Sequence, residues 1–322
     1  MKPAPFSYYR ARSVPETVAL LAEHALADHA PADHALADHG DRLADDGEAD
    51  QGDGAKILAG GQSLVPMMNF RLARPAVLVD VTRIPGLEYL RAGPDGLRIG
   101  ALTRHRTVEL CRDPAVLDGF GVLPRAARWI GHYPIRARGT FGGSIAHADP
   151  AAEWCLLAIL LEANVVLTGP GGQRTVPAAE FFEGFYTTTA EPDEMITEVH
   201  FPRPARHAAL TEFAQRQGDF AIIAAAVTAD LEDAGATARE VRVVLGGTGP
   251  LPFVVNTMDL SGQPATTATW RAAGELAAAQ IDPPADGHGS AAYRKKLAAT
   301  LVERALAEAT RTEATRTEAT RP

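Results

Sequence analysis

The sequence predicts an α+β fold, and three observations lead there. Short apolar runs of strand type recur through the N-terminal part, and helix signals interrupt them. Further on, two strand-like runs are followed by two alanine-rich helices, the pattern of a sheet with helices packed on one side. A chain of 322 residues has room for two or three such units or for one large compact one.

A helix is expected over residues 14–24, with Ser13 as N-cap and Pro15 at its start. Residues 56–59 read as a short strand ending in a glycine pair. Residues 76–81 and 96–101 read as two more strands. Residues 107–111 and 124–129 look helical. Asp149 and Pro150 then open a strongly apolar helix over 151–161, as N-cap and first helical residue. Residues 164–168 form a strand, and Gly169-Pro170-Gly171-Gly172 a turn. Pro202 and Pro204 mark the end of the first unit. Strands are expected over 221–231 and 241–246, and helices over 268–279 and 291–309.

Two segments are low-complexity. His24, His29, His34 and His39 recur every five residues, and an acidic stretch follows them. Spacing of five does not stack side chains on one helical face, as spacings of three and four do, so no metal site is read there. Residues 24–54 are expected to be a solvated insertion. The Arg-Thr-Glu-Ala-Thr repeat from Arg311 is expected to be a disordered tail.

Composition narrows the function. Net charge is −9, so a nucleic-acid partner, which needs a basic face, is not expected. A bound phosphate would then rely on backbone N–H groups. The two cysteines, Cys111 and Cys155, form no CxxC, and Cys155 heads an apolar run, so it reads as a buried small hydrophobe. No apolar run approaches the roughly 18 residues of a membrane span. The N-terminus lacks a charged-then-apolar signal pattern, so a cytoplasmic location is the expectation.

Chemistry points to two glycine pairs. One lies in Lys56-Ile57-Leu58-Ala59-Gly60-Gly61-Gln62-Ser63. The other lies in Gly139-Thr140-Phe141-Gly142-Gly143-Ser144-Ile145-Ala146-His147-Ala148-Asp149-Pro150. Backbone without a Cβ, beside hydroxyls, lets main-chain N–H groups close on an anion such as a phosphate. Two such segments suggest a diphosphate held from both sides. Neither is a GxGxxG fingerprint or a P-loop, and a tight turn accounts for either pair on its own. His147 reads equally as a satisfied buried histidine or as a ligand contact. Asp149 reads as a helix cap, and Glu153 as an acid favoured by the helix macrodipole. Met67 and Met68 read as core. Arg136 and Arg138 read as partners of acidic side chains or as part of a subunit contact.

The longer context is more specific. Ala59-Gly-Gly-Gln-Ser-Leu-Val-Pro-Met-Met-Asn-Phe-Arg-Leu-Ala-Arg-Pro75, then Leu78-Val79-Asp80, then Ile135-Arg-Ala-Arg-Gly-Thr-Phe-Gly-Gly-Ser-Ile-Ala-His-Ala-Asp-Pro150 resembles the FAD-binding medium subunit of the molybdenum hydroxylases, the carbon monoxide dehydrogenase and xanthine dehydrogenase group. The resemblance continues through Asp193-Glu-Met-Ile196, Arg216-Gln-Gly-Asp-Phe220 and Gly246-Gly-Thr-Gly-Pro-Leu-Pro252, and leaves out the insertion and the terminal repeat.

The resemblance implies a two-subdomain FAD-binding fold of the PCMH type over 1–205, split near residue 85 and carrying the insertion. A C-terminal α+β domain over 206–309 and a tail over 310–322 follow. It implies that Ala59, Gly60, Gly61, Gln62 and Ser63 form a first FAD loop, and Thr140, Gly142, Gly143 and Ser144 a second. His147 and Glu153 would lie near the ribityl and phosphate region, beside Asp149. Ile57 and Ile196 would lie near the adenine or ring system, and Asp219 in a matching segment. The family often carries Asn where Ser144 stands, which touches one polar contact but not the backbone role. Partners implied are a large molybdopterin-cofactor subunit and a small subunit with two [2Fe-2S] clusters, as a dimer of heterotrimers. No catalytic side chain and no metal ligand is then required of this chain, because the cofactor carries the chemistry. A self-contained FAD oxidoreductase of related fold is one alternative. A non-catalytic scaffold that has lost FAD is the other.

Overall fold

The computed structural model describes residues 2–25, 54–232 and 235–311. Most of the 24–54 insertion and of the 310–322 tail lies outside the described residues. Among the described residues, three larger sheets, a two-stranded sheet and the helices packed between and beside them build an α+β architecture.

The first sheet is small and parallel. Its strands are β1 (Ser7–Arg10), β2 (Ala55–Leu58) and β3 (Val77–Asp80), in the order β1-β3-β2. Helix α1 (Val14–Ala25) follows β1, and the short α2 (Leu64–Asn69) follows β2. β3 is buried at all four positions, as a central parallel strand should be. Asp80 ends it and is 5 % exposed. Its carboxylate accepts from Tyr8, from Arg10 Nε (3.3 Å) and from the Thr82 N–H (2.8 Å). Burial opposes its ionisation, but these hydrogen bonds outweigh burial and hold its pKa below the ordinary value.

The second sheet is antiparallel, in the order β4-β5-β10-β6-β7. β4 (Leu90–Gly93) and β5 (Gly96–Gly100) are followed by a run of short helices: α3 (His105–Glu109), α4 (Pro114–Phe120), α5 (Val122–Ala126), α6 (Tyr133–Arg138), α7 (Phe141–His147) and α8 (Glu153–Leu160). β6 (Asn164–Gly169), β7 (Gly172–Pro177), α9 (Ala178–Phe181), β8 (Phe182–Gly184), β9 (Thr187–Thr188) and β10 (Met195–Phe201) complete the unit. α8 is buried at every position from Trp154 to Leu160, so it shows no polar face. Phe141 stacks on Trp154 with centroids 4.7 Å apart and meets Phe201 edge-on at 6.0 Å.

The third sheet runs β11 (Ala208–Phe213), β12 (Ile223–Glu232), β13 (Thr237–Gly246), β14 (Phe253–Val254), with β15 (Gln263–Pro264) also on β13. α10 (Thr267–Gln280) and α11 (Ala291–Ala309) cover one face. Ile223, Ala225 and Val227 point to these helices, while Ala224 and Ala226 join the core around α8. The run 223–227 is therefore apolar throughout because both faces of the strand are buried.

Two expectations need correction. The second glycine segment is a helix, α7, not an open loop: the Thr140 side chain caps it by accepting from the Gly143 N–H (3.1 Å). The helix expected from Ala151 begins at Glu153, with Ala152 as its N-cap. Asp149 instead closes a turn, its carboxylate accepting from the Ala151 N–H at 2.8 Å and its carbonyl from the Ala152 N–H at 2.9 Å.

α10 and α11 meet closely at Gly274, where a Cβ would fall on the carbonyl oxygen of Ala299. Gly274→Ala should destabilise the chain by about 1–3 kcal/mol in chemical denaturation. A change below about 0.5 kcal/mol would show that the helices part without cost.

Candidate functional site

A cleft of about 670 Å³ opens where the end of β2, α2, α6, α7 and β10 meet. The turn at 218–221 forms part of its rim. All fifteen residues singled out in the sequence line it. They are Ile57, Ala59 to Ser63, Thr140, Gly142, Gly143, Ser144, His147, Asp149, Glu153, Ile196 and Asp219.

The first glycine segment is the open one. Among the described residues, nothing accepts from the backbone N–H groups of Gly60, Gly61, Gln62, Ser63 or Leu64. Gly61 has φ +70°, a conformation that disfavours any side chain. Gly60 is required for a different reason. A Cβ there would lie 2.6 Å from the Arg138 carbonyl oxygen and 2.7 Å from Gly139 Cα. The two segments thus touch backbone to backbone.

The second segment is largely satisfied within the protein. Phe141 N–H donates to Thr103 O (2.8 Å), Gly142 to Ala101 O (2.9 Å), Gly143 to the Thr140 hydroxyl and Ser144 to Thr140 O (3.0 Å). Of residues 139–144, only the Thr140 N–H keeps no acceptor among the described residues. The expected pair of equal amide cradles is therefore one open set of five donors and one capped helix pressed against it.

Past α7 the backbone is strained. Ala148 (φ +53°) and Tyr186 (φ +56°) both sit in the left-handed region, and the Tyr186 N–H donates to Ala148 O (3.2 Å). The pair brings the Tyr186 ring to 4.9 Å from that of His147. Burial lowers the His147 pKa against the pull of Asp149, and burial and then Asp149 raise that of Tyr186. Both rings are therefore neutral at physiological pH. Tyr186 was not legible in the sequence, because nothing local announces a non-glycine residue at positive φ. Met67, read as core, lines the cleft, while Met68 is buried.

Glu153 lines the cleft at the start of α8 and faces Glu212 of β11. Burial and then the Glu212 carboxylate push Glu153 up to about 8, and burial pushes Glu212 up to about 7. At neutral pH the pair holds a proton. Arg136, read as a partner of acids, pairs with Glu109 at 2.9 Å. Cys155 is fully buried.

Residues 42–204 match the family model described as the FAD binding domain in molybdopterin dehydrogenase, and 208–309 match the CO dehydrogenase flavoprotein C-terminal domain. This chain belongs to the FAD-binding medium subunits of the molybdenum hydroxylases. It is 39% identical to the 6-hydroxypseudooxynicotine dehydrogenase complex subunit alpha of Paenarthrobacter nicotinovorans, over 96% of each chain. It is 34% identical to the carbon monoxide dehydrogenase medium chain of Hydrogenophaga pseudoflava, over 95% of this chain and 97% of that one. Among solved structures, carbon monoxide dehydrogenase from Hydrogenophaga pseudoflava superposes with TM-score 0.81 at 34% identity, covering 96% and 98%. Quinoline 2-oxidoreductase from Pseudomonas putida 86 gives 0.82 at 31%, with the same coverage.

As a medium subunit, the chain is an FAD-binding component of an oxidoreductase. The cleft fits that cofactor. Five unengaged N–H donors suit a diphosphate, glycine keeps the backbone accessible, and Ile57 and Ile196 supply apolar wall. No helix among the described residues is long and apolar enough to cross a membrane.

Two outcomes follow. Gly60→Ala and Gly61→Val should each weaken FAD retention at least about tenfold, measured as flavin released on gel filtration; the first pushes the segments apart and the second cannot hold φ +70°. Because the folded pKa values of Glu153 and Glu212 lie above those of the unfolded chain, their contribution to stability is lost as pH rises from about 4.5 to about 8. Glu212→Gln should therefore gain in melting temperature over the parent as pH rises through that window. Parallel curves for the two proteins would refute the coupling.

Proposed function

We propose that this chain is the electron-transfer subunit of a molybdenum-containing hydroxylase. Electrons would reach it from a small subunit carrying two [2Fe-2S] clusters, themselves fed by a large molybdopterin-cofactor subunit, and would leave to an external acceptor. The open row of N–H donors from Gly60 to Leu64, at the wall of a cleft in a medium-subunit fold, carries the reading. Relatives named as a medium chain and as a subunit of a dehydrogenase complex support assembly with other subunits; the arrangement as a dimer of heterotrimers is part of the proposal.

The domain division that goes with this function places the FAD-binding unit at 1–205 and the smaller α+β unit at 206–309. The latter contributes Gly218, Asp219, Phe220 and Ala221 to the rim of the cleft.

Each lining group has a role in binding and orientation. The N–H groups of Gly60 to Leu64 neutralise the diphosphate without a cationic side chain. The Thr140 N–H adds a donor from across the seam. Ile57 and Ile196 exclude water from the apolar parts, and a β-bulge between Ile196 and Glu198 in β10 lies beside that contact. His147 and Tyr186 form a neutral aromatic wall. Burial keeps a proton on the Glu153–Glu212 pair at neutral pH, so the carboxyl side of the cleft carries less than two negative charges toward the ribityl and phosphate region. FAD itself supplies the redox chemistry, exchanging electrons singly or in pairs.

Co-expression with the neighbouring coding sequences tests this. The complex should purify with molybdenum, iron and FAD, and substrate should bleach the visible flavin absorbance under anaerobic conditions. A chain that purifies alone, holds FAD and turns over its own substrate would sink the proposal.

A further inference from the structure

His105 opens α3 and is 5 % exposed, yet it lines the cleft. Its Nδ1 accepts from the indole N–H of Trp154 at 3.0 Å. An indole nitrogen only donates, so Nδ1 carries no proton and the ring proton of the neutral imidazole sits on Nε2. Burial and then the charges of Arg104 and Arg136 hold the ring pKa down to about 3, so the ring stays neutral. Among the described residues nothing accepts from Nε2.

The position of that donor is fixed from three sides. Trp154 is pinned by its stack on Phe141. The His105 backbone N–H donates to Gly139 O (3.2 Å), and the Arg104 guanidinium donates to Arg138 O. A Cβ on Gly139 would lie 2.6 Å from His105 Nε2. Gly60, which heads the open donor row, presses on the same Gly139 from its other neighbour. A tautomer-locked N–H therefore stands at the seam where the two glycine segments meet.

We propose that His105 is a cofactor-binding residue, its Nε2–H donating to an oxygen of the sugar–phosphate spine of FAD at the Gly60–Gly139 seam. The assignment rests on FAD occupying the cleft. It extends the main-chain donor set with one side-chain donor that does not titrate between pH 5 and pH 8. It also gives Gly139 a purpose, which is to leave room for the imidazole edge.

The test compares His105→Phe and His105→Gln with the parent chain, titrating apo-protein with FAD and following flavin fluorescence. Phe removes the donor, while the side-chain amide of Gln returns an N–H near the position of Nε2. FAD affinity should fall about tenfold in His105→Phe, the scale of one buried hydrogen bond, and most of it should return in His105→Gln. In the parent labelled with ¹⁵N-histidine, the Nε2–H resonance of His105 should shift when FAD is added, a readout that does not depend on either variant folding. FAD affinity in His105→Phe within about twofold of the parent, or an unmoved resonance, overturns the assignment. A parent that takes up no FAD overturns the cofactor reading itself, and is told apart because the result does not depend on residue 105.

Discussion

The site depends on one close approach. Gly60 lies against the backbone of Arg138 and Gly139, with no room for a single added carbon. That contact joins the end of a parallel strand to the start of α7 and sets the cleft between them. Behind it, His105, Trp154, Phe141 and Phe201 form a buried aromatic stack that keeps α7 in place. Aromatic pairs of this kind contribute about 0.5–1.5 kcal/mol each beyond burial, and their planar shapes resist sliding. The seam is therefore rigid, which is what a row of unpaired N–H groups needs if it is to meet an anion without reorganising.

The donors are divided unequally, and the division has a physical logic. α7 must be held against the antiparallel sheet, so its first N–H groups bind Thr103, Ala101 and Thr140. The segment after β2 has no such duty and leaves its donors free. Charge is managed in the same way. Among the described residues, no arginine lines the cleft, and Lys56 is its one lysine. Burial holds His105, His147 and Tyr186 of its lining neutral and pushes Glu153 up, while the Arg174 guanidinium holds Glu194 ionised.

The third sheet shows why domains in this chain are not independent layers. α10 and α11 cover one face, and α8 of the preceding unit packs on the other. Glu153 on α8 and Glu212 on β11 face each other at that boundary, beside the cleft. Proton uptake by the pair, the packing of the two units and the electrostatics of the site are thus tied together.

Much of the fold was legible locally. The strands at β3, β5, β6, β12 and β13 and the helices α1, α10 and α11 announce themselves by apolar runs, capping residues and alanine content, which are properties of adjacent residues. The ordered motifs around the two glycine pairs were legible too, and they pointed to FAD and to the family. The short helices α2, α6 and α7 were not, because glycine, proline and hydroxyl residues read locally as turns and become helical only when tertiary partners take up their end groups. Asp149 looked like a cap because Asp-Pro usually opens a helix, but the turn it closes delays the helix to Glu153. Tyr186 and His105 carry no local sign of their place in the cleft. The sequence by itself determined the longer strands and helices and, through the ordered motifs, the cofactor; which of the two glycine segments leaves its donors open was decided by tertiary contacts. The tertiary structure alone decided that two segments some eighty residues apart meet through Gly60 and Gly139, because contact across that separation depends on packing and not on any pattern along the chain.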